Sequence, residues 1–187
     1  MDIKKGIKYV ALGFLFILVN VNLNFNGTTV NISPNFLGWI FLFAAFDKLG
    51  KYGEGKTYLK WFALLMVAFT AVLWVLNLIR YQVDLTVANV IVGVCQCMYN
   101  YILFGMLEEI ARDYGSERKD KIHNLKILNL ACYIALTVSA AVAYNSLNKS
   151  TALLFFAVGL AALVVAIVTL VTLFKFSNEL HDRDDIL

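Results

Sequence analysis

Six apolar runs, set apart by short segments that hold nearly all the charge, constrain this chain more than any other feature. They cover about residues 7–23, 36–49, 58–79, 85–107, 127–144 and 151–176. A helix crosses the ~30 Å hydrocarbon core of a bilayer with ~20 apolar residues, within a range of about 17–25. In lipid every backbone polar group must find its partner inside the protein, which a helix does within one segment. Composition agrees: 60% of the residues are hydrophobic and 16% charged, where soluble chains sit nearer one half and one quarter. These observations predict an all-α membrane protein, a six-transmembrane-helix bundle forming one integral membrane domain over residues 1–187. Its first partner is the lipid bilayer.

Orientation follows from the basic residues, because cytoplasmic loops carry the excess of Lys and Arg. With six spans and the amino terminus inside, the outer segments hold only Arg80 and Lys149; every other one of the 16 basic residues falls inside. The expected topology therefore has both termini cytoplasmic. Tyr52, Tyr58, Trp61 and Tyr114 mark the inner boundary, and Trp39, Trp74, Tyr81 and Tyr144 the outer one, the depths that amphipathic rings favour. Lys4, Lys5 and Lys8 ahead of the first run resemble the start of a signal peptide, but no small-x-small site follows, so the run reads as an uncleaved span. The charged stretch from Glu108 to Lys126 reads as a cytoplasmic extension of span four with a turn at Gly115. Glu108 with Arg112 and Glu117 with Lys121 stand at the i,i+4 spacing that pairs on a helix. Gly53 falls in an inner loop and is expected to tolerate a side chain.

Residues 19–33 break the helical pattern. From Val19 to Ser33 apolar and polar residues alternate with period two, the signature of a strand, and Asn26-Gly27 at the centre is a strong two-residue hairpin signal. With Asn26 and Gly27 as the turn, Leu23 faces Val30, Val21 faces Ile32, Asn24 faces Thr29, Asn22 faces Asn31 and Asn20 faces Ser33. Each of these pairs is like with like; Phe25 opposite Thr28 is not. The expectation is a short β-hairpin between helices one and two, with one oily and one amide-rich face. The alternative keeps span one helical through Asn24, with Asn20 and Asn24 on one face and a plain outer loop after it. In the hairpin reading the second helix opens at Pro34, a favoured first-turn position, with Ser33 as its cap. Helices one and two then fall short of ~30 Å, which draws the hairpin base below the outer surface.

Asn26-Gly27, followed by Val30-Asn31-Ile32-Ser33-Pro34-Asn35-Phe36-Leu37-Gly38-Trp39-Ile40, resembles a signature of small uncharacterised six-span membrane proteins of Clostridium- and Bacillus-like bacteria. Their pattern is an Asn-Gly turn, an apolar–polar alternation, then Pro-x-Phe-x-Gly-aromatic-Ile opening the second span. The family often carries acidic residues near the positions of Asn31 and Asn35, where this chain has amides. The resemblance covers the first 50 residues or so. It implies a bacterial plasma membrane and brings no activity; Asn26, Gly27, Pro34 and Gly38 are expected to serve the turn and the structure.

Within the spans, Asn89, Gly93, Gln96 and Asn100 share one face of span four, and Asn77 lies near the outer end of span three. Intramembrane amides are either glue between helices or the lining of a pocket. The candidate lining is Asn22, Asn24 and Asn31 from the hairpin with Asn89, Gln96 and Asn100 from span four. Amides donate and accept hydrogen bonds without supplying a fixed charge, so the expected solute is a small polar molecule with little or no charge. Small residues at helical spacing (Ser139 and Ala143, Ala157 and Ala161, Ala162 and Ala166) are expected to pack spans five and six together. Cys95, Cys97 and Cys132 read as structural thiols within apolar runs.

The chemistry of an enzyme is not legible. Asp47, Asp84 and Glu108 lie near span ends rather than at the midplane, against proton-coupled transport and intramembrane aspartyl proteolysis. His123 and His181 fall on the cytoplasmic side, and no metal-ligand spacing, nucleophile–base pattern or phosphate-cradling loop stands out. No cofactor, metal, catalytic residue or nucleic-acid partner is expected; the basic residues are dispersed and serve topology. Two function classes remain. One is a solute-binding or transport component with an outward amide-lined pocket. In size and span count it resembles the substrate-binding subunits of energy-coupling-factor vitamin transporters, without the Ala-x-x-x-Ala of their first span. The other is a non-catalytic interaction protein (a sensor, immunity factor or accessory subunit) with a cytoplasmic or membrane protein partner at the charged Glu108–Lys126 segment.

Overall fold

The computed structural model describes residues 2–18, 22–25, 28–31, 34–79, 86–145 and 149–184. Within those ranges side chains are described except at 18, 22–25, 28–31, 77, 86–87, 89, 140–145, 149–152 and 181–184. The elements run α1 (Ile3–Leu18), β1 (Asn22–Phe25), β2 (Thr28–Asn31), α2 (Asn35–Leu49), α3 (Lys51–Glu54), α4 (Thr57–Leu78), α5 (Thr86–Asp113), α6 (Lys119–Asn145) and α7 (Lys149–Asp184). Among the described residues, four helices are long and apolar enough to cross a membrane: α4, α5, α6 and α7. At 1.5 Å per residue, α1 with 16 residues and α2 with 15 reach only about 24 and 22 Å. The chain forms two compact units, one of residues 1–83 with 173–187 and one of residues 84–172.

In the first unit α1 and α2 lie antiparallel in very close contact, and glycines are the reason. A Cβ added at Gly13 would stand 2.7 Å from Leu42 Cγ and 2.9 Å from the Gly38 carbonyl. One added at Gly38 would stand 2.5 Å from Ile17 Cγ1 and 2.6 Å from the Gly13 carbonyl. Gly6 meets Leu49 and Lys48 in the same way, so the close seam continues toward the other end of the pair. In a lipid solvent helices gain little from burying apolar surface, and close packing through small residues is what holds them together. Phe14, Trp39 and Leu42 are fully buried around the seam. Asp2 starts α1: its Oδ1 accepts the Lys5 backbone N–H at 3.1 Å, and its Oδ2 pairs with Lys5 Nζ at 2.7 Å. The Lys5 side chain holds the Asp2 carboxyl below its usual range.

β1 and β2 pair antiparallel, with Asn22 opposite Asn31, Leu23 opposite Val30, Asn24 opposite Thr29 and Phe25 opposite Thr28. These partners are the ones the alternation sets. The turn at Asn26 and Gly27 and the outer pairs Val21–Ile32 and Asn20–Ser33 lie outside the described residues. At α2, Pro34 is itself the cap residue, at φ −68° and ψ 136°, and the helix begins at Asn35. The start is one residue later than expected because Pro34 is in the extended region.

α2 runs against α4, antiparallel. Phe36 meets Trp74 edge-on at 5.7 Å between centroids, Trp39 meets Phe62 at 6.5 Å, and Lys60 pairs with Asp47 at the other end. Gly50, at φ 58°, turns the chain from α2 into α3. Gly53 is not a permissive loop position: it is buried in α3, where a Cβ would stand 2.9 Å from the Phe46 carbonyl. The end of α7 returns to this unit, with Ser177 Oγ donating to the Lys4 carbonyl at 3.1 Å and Phe176 and Leu180 buried.

In the second unit α5 continues to Asp113, as the charged extension predicts. Gly115, at φ 58°, ends it: the Ser116 N–H bonds the Ala111 carbonyl at 2.8 Å, and the Gly115 N–H bonds that of Arg112 at 3.0 Å. This is the left-handed glycine stop that satisfies the last carbonyls of a helix. Glu117 lies in the turn, ahead of α6, so Glu117 and Lys121 do not share a helix. Ala157 and Ala161 are exposed, so that row of small residues does not pack α6 and α7 together; Ser139 and Ala166 are buried. The cross-link between α6 and α7 is polar instead, from Asn129 Nδ2 to Thr169 Oγ1 at 3.0 Å.

Candidate functional site

The polar face of α5 is turned toward α6. The tight connection at Gly115 sends α6 back antiparallel, and three contacts fix which face meets it. A Cβ at Gly93 would stand 3.4 Å from Thr137 Oγ1. Gln96 Nε2 donates to the Tyr133 hydroxyl at 2.8 Å. Lys126, nearer the start of α6, reaches Glu108 at 3.0 Å. Spacings of four, three and four keep Asn89, Gly93, Gln96 and Asn100 on a single stripe, and Thr137 stands at ordinary contact distance from where a Cβ at Gly93 would be.

Gln96 and Asn100 are both buried, Asn100 to 2% exposure. They differ in what they meet. Gln96 is used as glue, since its amide bonds Tyr133 across the helix pair. Asn100 stands beside the same hydroxyl and acts on it, but forms no well-aligned hydrogen bond. Neither its Oδ1 nor its Nδ2 has a hydrogen-bond partner among the described residues. Leaving a buried amide unpaired costs about 1–3 kcal/mol for each group. Thr137 does not relieve it, because its hydroxyl donates to the Tyr133 carbonyl in its own helix at 2.8 Å.

The six candidate lining residues do not all enter this arrangement. Gln96 and Asn100 are brought together with Tyr133. The side chain of Asn89 lies outside the described residues, as do those of Asn22, Asn24 and Asn31. The three hairpin amides belong to the first unit, whereas Asn89, Gln96 and Asn100 belong to the second. Gly38 has a packing role in the α1–α2 seam. Cys95, Cys97 and Cys132 are free thiols, each partly covered.

Two features escaped the sequence reading. Tyr133 sits in the middle of an apolar run, and only the fold sets it opposite Gln96. Asn129 bridges to Thr169 while also donating to the Leu125 carbonyl at 2.8 Å. An amide within span five was the available signal for it. No protein-family model, curated protein or solved structure matches this chain.

Proposed function

We propose that this protein is a six-span component of a bacterial plasma membrane, with both termini cytoplasmic, that binds or transports a small polar solute through an outward-opening, amide-lined pocket. The four long helices supply four crossings. The short α1 and α2 supply two more if the strands β1 and β2 form a hairpin seated below the outer surface, where protein covers their backbone. The distribution of Lys and Arg supports this topology.

Asn100 carries the solute reading. A buried amide with neither its donor nor its acceptor in a well-aligned hydrogen bond, next to a tyrosine hydroxyl, is what a neutral hydrogen-bonding solute needs, and it offers no charge to balance an ion. The thermal stability of the purified chain should rise with some member of a panel of neutral amides, polyols and nucleosides. Asn100→Leu should abolish that rise without lowering the melting temperature of the free protein, because it removes an unpaired buried amide. Gln96→Leu should lower the melting temperature directly by breaking the bond to Tyr133, an effect of about 0.6–1.7 kcal/mol.

The second reading is a non-catalytic interaction protein, a sensor, immunity factor or accessory subunit. The Gln96–Tyr133 bond favours it, since an amide spent on helix packing is not available to a solute. On this reading no member of the panel shifts stability, Asn100→Leu destabilises the fold, and a protein partner co-purifies.

A further inference from the structure

We propose that the corner between α5 and α6 is a binding site for a phosphate ester, the headgroup of an anionic phospholipid at the membrane surface. The turn at Gly115 brings Arg112, Lys119 and His123 around an open cavity of about 360 Å³, with Glu108 and Asp120 completing its lining. That volume falls within the range of sites for small molecules, about 300–1,000 Å³.

The lining carries two fixed cations, two acids and a histidine, and its ion pairs are shared unevenly. Glu108 meets three of them: Lys126 Nζ at 3.0 Å, His123 Nδ1 at 3.2 Å and Arg112 at 3.3 Å. Lys126 and Glu108 are the two covered side chains, 16% and 17% exposed, and they satisfy each other. Arg112 is 71% exposed and gives Glu108 one long bond, which leaves most of its five N–H donors for another anion. The Lys119 ammonium has no ion pair among the described residues. With Glu108 held by Lys126, Arg112 and Lys119 face a single further acid of the lining, Asp120. Arg and Lys around one concavity suit a phosphate, which takes the guanidinium fork and the ammonium together.

The position of the cavity selects the lipid. Farther from the Gly115 turn along the two helices, Tyr101, Ile127 and Leu128 are each about half exposed and form apolar lateral surface. Lys126 Nζ stands over the Tyr101 ring at 5.2 Å, which places the charged end of the helix pair directly against that surface. The cavity opens where apolar side wall gives way to charged helix end, the level at which phospholipid headgroups lie.

The test uses the full chain in nanodiscs of phosphatidylcholine, titrated with phosphatidylglycerol while melting is followed. A saturable gain in stability is expected. Arg112→Gln with Lys119→Gln should weaken the apparent affinity roughly thirtyfold, about fivefold for each cation, while leaving the melting temperature in pure phosphatidylcholine unchanged. Lys121→Gln, next to the cavity but not lining it, should keep the gain. A gain that survives in the double variant, or falls equally in Lys121→Gln, would reflect general surface charge and overturn the site. No gain from phosphatidylglycerol would overturn it as well. Soluble glycerol 3-phosphate is the second probe: no effect supports the lipid source, and an equal gain at millimolar concentration overturns it in favour of a soluble phosphate ester.

Discussion

Gly38 shows how much of this structure rests on what a residue lacks. Its place in the Pro-x-Phe-x-Gly pattern marked it as structural, but the reason is visible only with α1 beside it: the Gly13 carbonyl occupies the space of a Cβ. Backbone cannot retreat as the tip of a side chain can, so Gly38→Ala should cost about 1–3 kcal/mol. Gly159→Ala, where a Cβ meets nothing within 4 Å, should leave the melting temperature unchanged or raise it. Equal effects of the two changes in detergent would contradict the seam. Asn129 makes the complementary case, a residue defined by what it reaches. Thr169→Val should remove one interhelical bond and cost about 0.6 kcal/mol. In a double-mutant cycle with Asn129→Leu, the coupling between the two should be of that size; a coupling of zero would contradict the contact. Neither feature was legible beforehand, because a sequence shows which positions share a helix face but not which neighbouring helix that face meets. The same gap explains Gly53, which sits between charged residues, looks like a loop glycine, and is packed against the Phe46 carbonyl.

At the scale of elements, periodicity was the readable signal. The apolar runs marked α4 to α7, and the Glu108–Arg112 spacing marked the extension of α5, since both are properties of one segment. Helix ends were less legible: α7 runs on to Asp184, beyond its apolar stretch, and Pro34 caps α2 rather than opening it. The alternation over residues 19–33 is local as well, and its partners at Asn22–Asn31, Leu23–Val30 and Asn24–Thr29 are those of the β1–β2 ladder. A two-residue turn of type I′ requires positive φ at both central positions. Gly27→Val should therefore destabilise the protein by about 1–2 kcal/mol. The proper control is Gly55→Ala, at φ −66° with nothing within 4 Å of its Cβ. If Gly27→Val melts with the wild type, a plain outer loop replaces the hairpin.

For the whole molecule, the six-crossing account joins two kinds of segment. Four helices reach across a bilayer by length and composition; α1 and α2, about 24 and 22 Å long, do not reach across alone. In the proposed topology the strands β1 and β2 lie below the outer surface, which makes the number of crossings even and keeps both ends on the side that carries the basic residues. The polar site on α5 acquires an outward direction only through that topology. The most direct measurement is therefore the sidedness of single cysteines in intact cells, in a background where Cys95, Cys97 and Cys132 are replaced. A membrane-impermeant maleimide should label a cysteine at Lys149 and leave one at Gly115 and one at Leu187 untouched until the cells are opened. Labelling at Gly115 or Leu187 in intact cells, with Lys149 protected, would contradict the account.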